Sequence, residues 1–306
     1  MDNTNIMVEV VGLRIGIDIG GTKIAAVILD ENGREQARFR ADIPRDYSAT
    51  IKIISETVSY LENEASPAAR IGISMPGFIN GAGKTMLVAN LPWLQGRVFR
   101  SDLERLLNRP VNIGNDANCF ALSEATDGSA AGAAVVFGVI LGTGVGGGLV
   151  VNGQVVAGAN TTAGEWGHNP LPWHEASDGA EITCSCGQSG CIETWLNGAA
   201  LSRSYLSVAK RVAKPEEISR LAGKGDQCAR DAISLYEKRL ARALGAAINF
   251  LDPDVIVLGG GLSEMPSLYT RVPSLWSRYT SSGAMATRLV KAKYGPDSGV
   301  RGAAWL

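Results

Sequence analysis

Short apolar blocks separated by glycine or polar turns dominate the first part of the chain and predict strands. Residues 13–19 and 23–29 form two such blocks on either side of Gly20-Gly21, which is the pattern of a β-hairpin. A third block at 34–42 predicts another antiparallel strand. Apolar positions three and four residues apart then predict a helix over residues 47–64. The chain is therefore expected to open with a small sheet followed by a helix.

The hairpin pattern recurs in the middle of the chain. An apolar strand is predicted at 133–141, and a glycine-rich turn at 142–148 leads to a return strand. A strand–glycine turn–strand unit therefore occurs at 13–29 and again at 135–156. This internal repeat predicts two related α/β domains that arose by duplication, with a boundary near residues 116–118.

The C-terminal part alternates long helices with short strands. Helices are predicted at 194–208 and 229–251, and a buried strand at 255–258 leads into a glycine run. A last helix is predicted from about Ser298. Strands that alternate with helices are typical of an α/β architecture.

Composition narrows the possible functions. The chain has 306 residues, 45% of them hydrophobic, and a net charge of −1 with both signs mixed along its length. Mixed charges argue against a nucleic-acid partner. No apolar run reaches the roughly 18 residues of a membrane span, so no membrane partner is expected. Five cysteines, an odd number, do not suggest a secreted disulfide framework, and we expect a cytoplasmic protein.

Three apolar strands end in glycine-rich loops. The loops are Gly20-Gly21-Thr22-Lys23 directly after Asp18 and Ile19, Gly142-Thr143-Gly144, and Gly259-Gly260-Gly261. Glycine lets backbone N–H groups crowd around an anion, and the threonine hydroxyls add donors. Tight turns also use glycine for geometry alone, and Lys23 could equally be solvated. Three loops together favour a clamp for the phosphates of a nucleotide, and Asp18 could hold Mg²⁺ through water. None has the spacing of a P-loop or of a dinucleotide motif.

Asp116 follows a predicted strand and precedes a helix of small residues. A carboxylate in that position can act as a general base, because it can accept the proton of a hydroxyl that attacks the γ-phosphate of ATP. Asn115 would hold neighbouring hydroxyls. The alternative is that Asp116 only caps the following helix, which is the commoner role of an aspartate there.

Both histidines of the chain and three of its five cysteines lie between residues 164 and 193. Cys184, Cys186 and Cys191 can supply three thiolates, and His168 can complete a closed tetrahedral zinc site, which would be structural because no position stays open. A redox pair, free thiols or a catalytic nucleophile are the alternatives.

Two glutamates flank the predicted metal ligands. Glu165 lies three residues before His168, and Glu193 lies two residues after Cys191. Carboxylates anchored in this way suit hydrogen bonding to the neighbouring hydroxyls of a sugar. For either glutamate taken alone, an ordinary surface residue is the better interpretation.

Taken together, these motifs resemble the ROK family of bacterial sugar kinases and repressors. The segments that carry the resemblance are 18–23, 114–118, 141–148, 164–168 and 184–193. The resemblance implies an actin-like, ribonuclease H-like α/β fold, in which two domains close over a central cleft. It also implies a smaller N-terminal domain formed by residues 1–117 and 291–306, and a larger C-terminal domain, residues 118–290, that carries the zinc site.

The resemblance further implies transfer of phosphate from ATP and magnesium to a hexose, by a protein that forms a homodimer. Asp116 would be the catalytic base, and His168 would serve both zinc and sugar. The residues implied to contact the sugar are Gly77, Asn115, Asp116, Glu165, His168 and Glu193. The residues implied to contact ATP are Asp18, Gly20, Gly21, Thr22, Lys23, Gly142, Thr143, Gly144, Gly259, Gly260 and Gly261.

Within the family, residues 164–173 are most similar to the fructokinase (mannofructokinase) branch, because Asn169 directly follows His168. We therefore expect phosphorylation of fructose at its 6-hydroxyl. The main alternative is an N-acetylglucosamine kinase, with glucose or mannose as further substrates. A sugar-sensing repressor is a remote alternative, because such repressors carry a DNA-binding domain and only 17 residues precede Asp18 here.

Overall fold

The structure is a computed structural model that describes residues 12–79, 85–88, 90–281 and 286–306. The chain divides into two compact units. One unit consists of Met1–Cys119 with Gly299–Leu306, and the other of Phe120–Ser298. Each unit has its own five-stranded sheet and its own hydrophobic core.

The first unit is built around a mixed sheet with the strand order β3-β2-β1-β4-β7. The strands of this unit are β1 (Arg14–Ile19), β2 (Lys23–Leu29), β3 (Glu35–Asp42), β4 (Arg70–Met75), β5 (Phe78–Ile79), β6 (Met86–Leu87) and β7 (Asn112–Asn115), of which β5 and β6 form a separate two-stranded sheet. Strands β1, β2 and β3 pair antiparallel, whereas β4 is parallel to both β1 and β7. Parallel strands end at the same edge, so the C-terminal ends of β1, β4 and β7 bring Asp18, Ser74 and Asn115 to one side of the sheet.

Two helices cover this sheet, α1 (Tyr47–Glu64) and α2 (Phe99–Leu107). Helix α1 begins after Asp46, whose side chain accepts a hydrogen bond from the backbone N–H of Ala49 at 2.8 Å. Its residues Ile54, Val58 and Leu61 are buried in the core. The helix predicted over 47–64 is thus confirmed with the same limits.

The second unit repeats the arrangement of the first. Its strands are β8 (Val135–Leu141), β9 (Val145–Val151), β10 (Gln154–Val155), β11 (Val255–Gly259) and β12 (Arg288–Lys291), in the order β10-β9-β8-β11-β12. Strands β8, β9 and β10 pair antiparallel, and β11 is parallel to both β8 and β12. Both sheets therefore consist of an antiparallel meander followed by two parallel strands, and the predicted internal repeat is confirmed.

Between α2 and the last helix, the described residues form the helices α3 (Asp116–Thr126), α4 (Ile192–Leu196), α5 (Gly198–Ala209), α6 (Pro215–Gly223), α7 (Gln227–Leu251) and α8 (Leu268–Trp276). The prediction of a single helix over 194–208 is wrong in one respect, because the helix is interrupted at Asn197 and two helices form instead. The side chain of Asn197 accepts from the N–H of Ala200 at 2.8 Å and so caps α5 as a separate helix. The first of the two helices, α4, begins at Ile192, and Glu193 lies in its first turn.

The last helix, α9 (Ser298–Trp305), belongs to the first unit except for its first residue. Val300 and Ala304 pack with Val27 and Leu29 of β2. The contact is close, since a Cβ at Gly16 of β1 would lie 2.0 Å from the carbonyl oxygen of Val300. None of the helices in the described part of the chain is both long and apolar enough to cross a membrane.

Candidate active site and metal centre

The edge of the first sheet presents a carboxylate beside a glycine turn. Ser74 Oγ donates to Asp18 Oδ1 at 2.6 Å, and Asp18 is half-buried at the end of β1. The turn that follows is closed by a bond from Gly20 N to the carbonyl of Lys23 at 2.9 Å. At Gly21, an added Cβ would meet nothing within 4 Å, and φ is not in the left-handed region. The turn therefore does not require glycine at this position, and the open space lets a ligand approach the backbone.

Asn115, rather than Asp116, caps helix α3. The side-chain oxygen of Asn115 accepts from the N–H groups of Ala117 at 2.9 Å and Asn118 at 3.4 Å. Its Nδ2 donates to the carbonyl of Gly77 at 3.3 Å. The capping role that the sequence offers to Asp116 is thus filled by its neighbour.

Asp116 is the first residue of α3, and its Oδ1 accepts from the N–H of Ala117 at 2.9 Å. Burial raises the pKa of Asp116, and the bond from Ala117 only partly opposes that rise. Asp116 is nevertheless an exposed residue, so the rise comes from protein atoms packed around the carboxylate and not from a loss of solvent contact. A carboxylate with a raised pKa is a stronger base than an ordinary aspartate.

The glycine turn after β8 resembles the first one in its openness. Gly142 N donates to the carbonyl of Gly144 at 3.0 Å, and Gly198 N donates to the carbonyl of Gly142 at 2.9 Å. No atom lies closer than 4.0 Å to a Cβ added at Gly142, and Thr143 is exposed. The turn is therefore held by α5 and leaves room on its other side.

The third glycine loop uses its glycines mainly for backbone geometry. Gly260 has φ +80°, and a Cβ there would lie 2.4 Å from the carbonyl oxygen of Leu141. A Cβ at Gly259 would come within 2.5 Å of the ring of Phe120. Geometry alone thus requires glycine at these two positions, whereas a Cβ at Gly261 would meet nothing within 4 Å.

The four predicted metal ligands come together in the second unit. One ligand atom each from His168, Cys184, Cys186 and Cys191 lies within 4.8 Å of all the others. Nδ1 of His168 is 3.5 Å from Cys184 Sγ, and the sulfurs of Cys186 and Cys191 are 3.6 Å apart. In a tetrahedron with Zn–S near 2.3 Å and Zn–N near 2.1 Å, such edges measure about 3.6–3.8 Å. The donor set and its spacing fit zinc.

The loop that carries the cysteines is shaped by local backbone bonds. Cys184 N donates to the carbonyl of Gln188 at 2.7 Å, and Gly187, with φ +90°, donates back to Cys184 at 2.9 Å. The N–H of Gln188 lowers the pKa of Cys186, whereas burial and the neighbouring thiols raise the pKa of Cys191 to about 12. Three crowded sulfurs therefore need a cation before all of them can ionise.

The flanking residues of the cluster make specific contacts. Nε2 of His168 lies 3.8 Å from Glu165 Oε2, on the other side of the ring from the cysteines. Glu193 Oε2 accepts from the backbone N–H of Val145 at 3.0 Å, and Cys184 Sγ lies 3.6 Å from Glu193 Oε1. Glu193 is thus a half-buried link between the metal cluster and the glycine turn at 142–144. No spacing along the chain marks this link.

The sequence analysis also did not predict a buried network of ion pairs. Asp178, in the loop between His168 and Cys184, accepts at Oδ1 from Arg239 Nε at 3.0 Å and from Arg242 Nη2 at 2.6 Å. Both arginines belong to α7, and all three side chains are at most 4% exposed. The network fixes the loop on the long helix. Its one signal in the sequence is that Arg239 and Arg242 lie three residues apart in the Ala- and Leu-rich second half of α7.

A cavity of about 570 Å³ lies beside the metal loop in the second unit. Glu165 and Asn169 line it together with mostly apolar residues, among them Trp166, Pro170 and Phe250.

Comparison with known proteins shows which family this chain belongs to. The model of the ROK family matches residues 14–306. An N-acetyl-D-glucosamine kinase from Photobacterium profundum is 40% identical over 296 residues, which are 95% of this chain and 98% of that protein. The crystal structure of ROK hexokinase from Thermus thermophilus has a TM-score of 0.85 and 31% identity, covering 96% of this chain and 97% of that one. A ROK family glucokinase from Streptomyces griseus, in complex with glucose and AMPPNP, has a TM-score of 0.76 and 28% identity, covering 96% and 98%. The chain belongs to the ROK family and is a sugar kinase with the actin-like fold.

Proposed function

We propose that this kinase phosphorylates N-acetylglucosamine at its 6-hydroxyl, with ATP as the phosphate donor. The observation that carries the proposal is the 40% identity to the N-acetyl-D-glucosamine kinase of Photobacterium profundum over 95% of this chain. Identity to the Thermus thermophilus hexokinase is lower, at 31%. This choice replaces the preference for fructose, which rests on the short segments 164–173 and 90–94.

Asp116 acts as the general base in this proposal. Its carboxylate accepts the proton of the 6-hydroxyl while that oxygen attacks the γ-phosphate. Two observations support the role. Asn115 caps helix α3, so Asp116 is not the capping residue, and burial raises the pKa of Asp116. The base is charged and competent only above that pKa.

The phosphates of ATP would bind at the glycine turns whose backbone is open. At Gly21 and Gly142 no Cβ keeps phosphate oxygens away from the backbone of these turns, and the hydroxyls of Thr22 and Thr143 add donors. Asp18, fixed by Ser74, would hold Mg²⁺ through water. When bound, Mg²⁺ neutralises charge on the transferring phosphate.

The sugar would be held by side chains that the metal cluster positions. With Nδ1 facing the sulfurs, His168 keeps Nε2 for a sugar hydroxyl, next to the carboxylate of Glu165. Glu193 would accept from a further hydroxyl, and Asn115 with Gly77 would complete the contacts. Zinc, when bound, supplies rigidity to this wall rather than chemistry, because four protein ligands close its coordination.

A coupled assay of ADP release tests the proposal with N-acetylglucosamine, fructose, glucose and mannose as acceptors. We expect the highest kcat/KM for N-acetylglucosamine. The Asp116→Asn variant controls for contaminating kinases, because it should give no release above background with any sugar. A higher kcat/KM for fructose would restore the fructokinase assignment, and no activity with any hexose would reject the proposed function.

A further inference from the structure

A second cavity, of about 230 Å³, lies in the second unit between helix α5 and the loop that leads to Cys184. None of the residues assigned to sugar, ATP or metal lines it. Its walls contain two guanidinium groups, from Arg203 and Arg239, and three hydroxyls, from Ser177, Ser204 and Ser207. This combination of residues is typical of an anion site rather than of a packing defect.

The charges around the cavity do not balance. Arg203 and Arg239 line the cavity and Arg242 joins them through Asp178, which among the described residues is the one buried carboxylate paired with Arg239 and Arg242. Its oxygens are already occupied, since Oδ1 accepts from two guanidinium groups and Oδ2 from the N–H of Glu175. Arg203 and Arg239 are close enough that the charge of Arg203 helps to lower the pKa of Arg239, after the larger effect of burial.

Other carboxylates nearby do not remove this excess. Glu175 approaches Arg242 only to 3.8 Å and is 55% exposed. Glu181 lies against Gly190, where an added Cβ would come within 2.8 Å of its carboxyl carbon, and it does not line the cavity. The local charge therefore stays positive on the side of Arg203.

Donors also remain for a ligand. A guanidinium carries five N–H groups. Arg203 makes a single bond in the described part of the chain, from Nη2 to the carbonyl of Thr194 at 2.5 Å. Arg239 makes three, to the carboxylate and carbonyl of Asp178 and to Ser204 Oγ. Ser204 accepts in that last bond, so its own proton is available for an anion.

We propose that this cavity binds a small phosphate-bearing anion, either inorganic phosphate or a phosphate monoester. The oxygens of the phosphate lie between Arg203 and Arg239 and accept from Ser204 as well. The apolar side chains of Trp195, Ala200 and Leu235 provide space for the carbon skeleton of a monoester.

The position of the cavity gives the anion a structural effect. Residues 177–182 form one wall and continue directly into Cys184. Trp195 forms another wall and lies two residues after Glu193 in α4. A bound anion bridges α5 to this loop, so it reduces local opening of residues 177–182. The inference does not depend on which sugar the kinase phosphorylates.

Isothermal titration of the zinc-loaded protein with inorganic phosphate and with N-acetylglucosamine 6-phosphate tests the proposal. Saturating AMPPNP and N-acetylglucosamine are included so that the proposed active site is filled. We expect saturable binding of at least one of the two probes, and slower hydrogen exchange in residues 177–182. A preference for the sugar phosphate identifies a monoester site, and equal or better binding of phosphate identifies a free-phosphate site.

Two arginine variants make the test specific. Arg203→Gln keeps a donor for the carbonyl of Thr194 but removes the charge, and should weaken binding by about tenfold or more. Arg220→Gln is the matched control, because Arg220 is an exposed residue of α6 whose ion pair with Glu217 spans 4.0 Å. Absence of saturable binding in the wild type would overturn the proposal, and so would equal binding by the Arg203→Gln variant.

Discussion

Replacing Gly144 by alanine tests whether Glu193 links the glycine turn to the metal cluster. A Cβ at Gly144 would lie 2.7 Å from Glu193 Oε2. The same oxygen accepts from Val145 N at 3.0 Å, and Cys184 Sγ lies 3.6 Å from the other oxygen. The methyl group therefore presses on a carboxylate that is held from two sides.

The size of the effect follows from these distances. An ordinary contact begins at 3.4 Å, so the carboxylate must retreat by about 0.7 Å. A retreat of that size takes the bond to Val145 out of hydrogen-bonding range. A hydrogen bond to a charged group contributes about 1.5–3 kcal/mol, so we expect kcat/KM to fall by about 10- to 100-fold.

Steady-state kinetics with varied sugar and varied ATP measure this loss. Because Gly144 is in a proposed ATP loop and Glu193 is a proposed sugar ligand, kcat/KM should fall for both substrates. Zinc content should stay unchanged, since Glu193 is not one of the four metal ligands. Gly223→Ala is the control, because a Cβ at that helix end would meet nothing within 4 Å.

A double mutant isolates the contact between the Gly144 position and the Glu193 carboxylate. Glu193→Asp shortens the side chain and draws the carboxylate away from Gly144. If the contact causes the loss, Gly144→Ala should add little to the effect of Glu193→Asp. Full additivity of the two losses, or normal activity of Gly144→Ala, would refute the proposed link.

The other predictions concern the base, the metal and the first glycine turn. Asp116→Asn should abolish turnover while calorimetry still detects sugar binding. In the wild type, kcat/KM should fall as the pH drops through the raised pKa of Asp116, so the fall should occur above pH 3.9, the ordinary pKa of an aspartate being about 3.9. A pH profile of kcat/KM that stays flat down to about that pH would contradict the assignment of Asp116 as the base. Cys186→Ser should lose zinc by elemental analysis and melt at a lower temperature, and unchanged metal content would reject the ligand set. Gly21→Ala should raise the KM for ATP without changing the melting temperature, because its Cβ meets only open space; an unchanged KM would leave glycine there without a role in ATP binding.

The strands and the first helix were predictable because their signals are local. Apolar blocks on both sides of Gly20-Gly21 predict β1 and β2, and the apolar spacing over residues 47–64 predicts α1. The break between α4 and α5 was not predictable from spacing, because apolar residues on both sides continue a helical period. A single side chain, Asn197, decides it by capping α5.

Some features of the candidate site were likewise predictable from the sequence, and others were not. The cluster of the four proposed metal ligands was predictable because three of them lie within eight residues of the chain, on a loop with glycines at its turns. The bond between Glu193 and Val145 joins residues 48 apart, and that between Asp178 and Arg239 joins residues 61 apart. Neither pair has a spacing that marks it, so tertiary structure alone reveals how the metal loop is fixed.

The expectation of fructose depended on Asn169, and the structure gives that residue another role. The carbonyl of Asn169 accepts from Ile192 N at 2.8 Å, and Pro170 forms an isolated β-bridge with Cys191. Backbone pairing thus docks this segment on the metal loop whatever its side chains are. Asn169 also lines a largely apolar cavity together with Phe250, so its side chain contributes to the packing around that cavity. Identity over 95% of the chain is therefore a broader basis for the proposed sugar than similarity over residues 164–173.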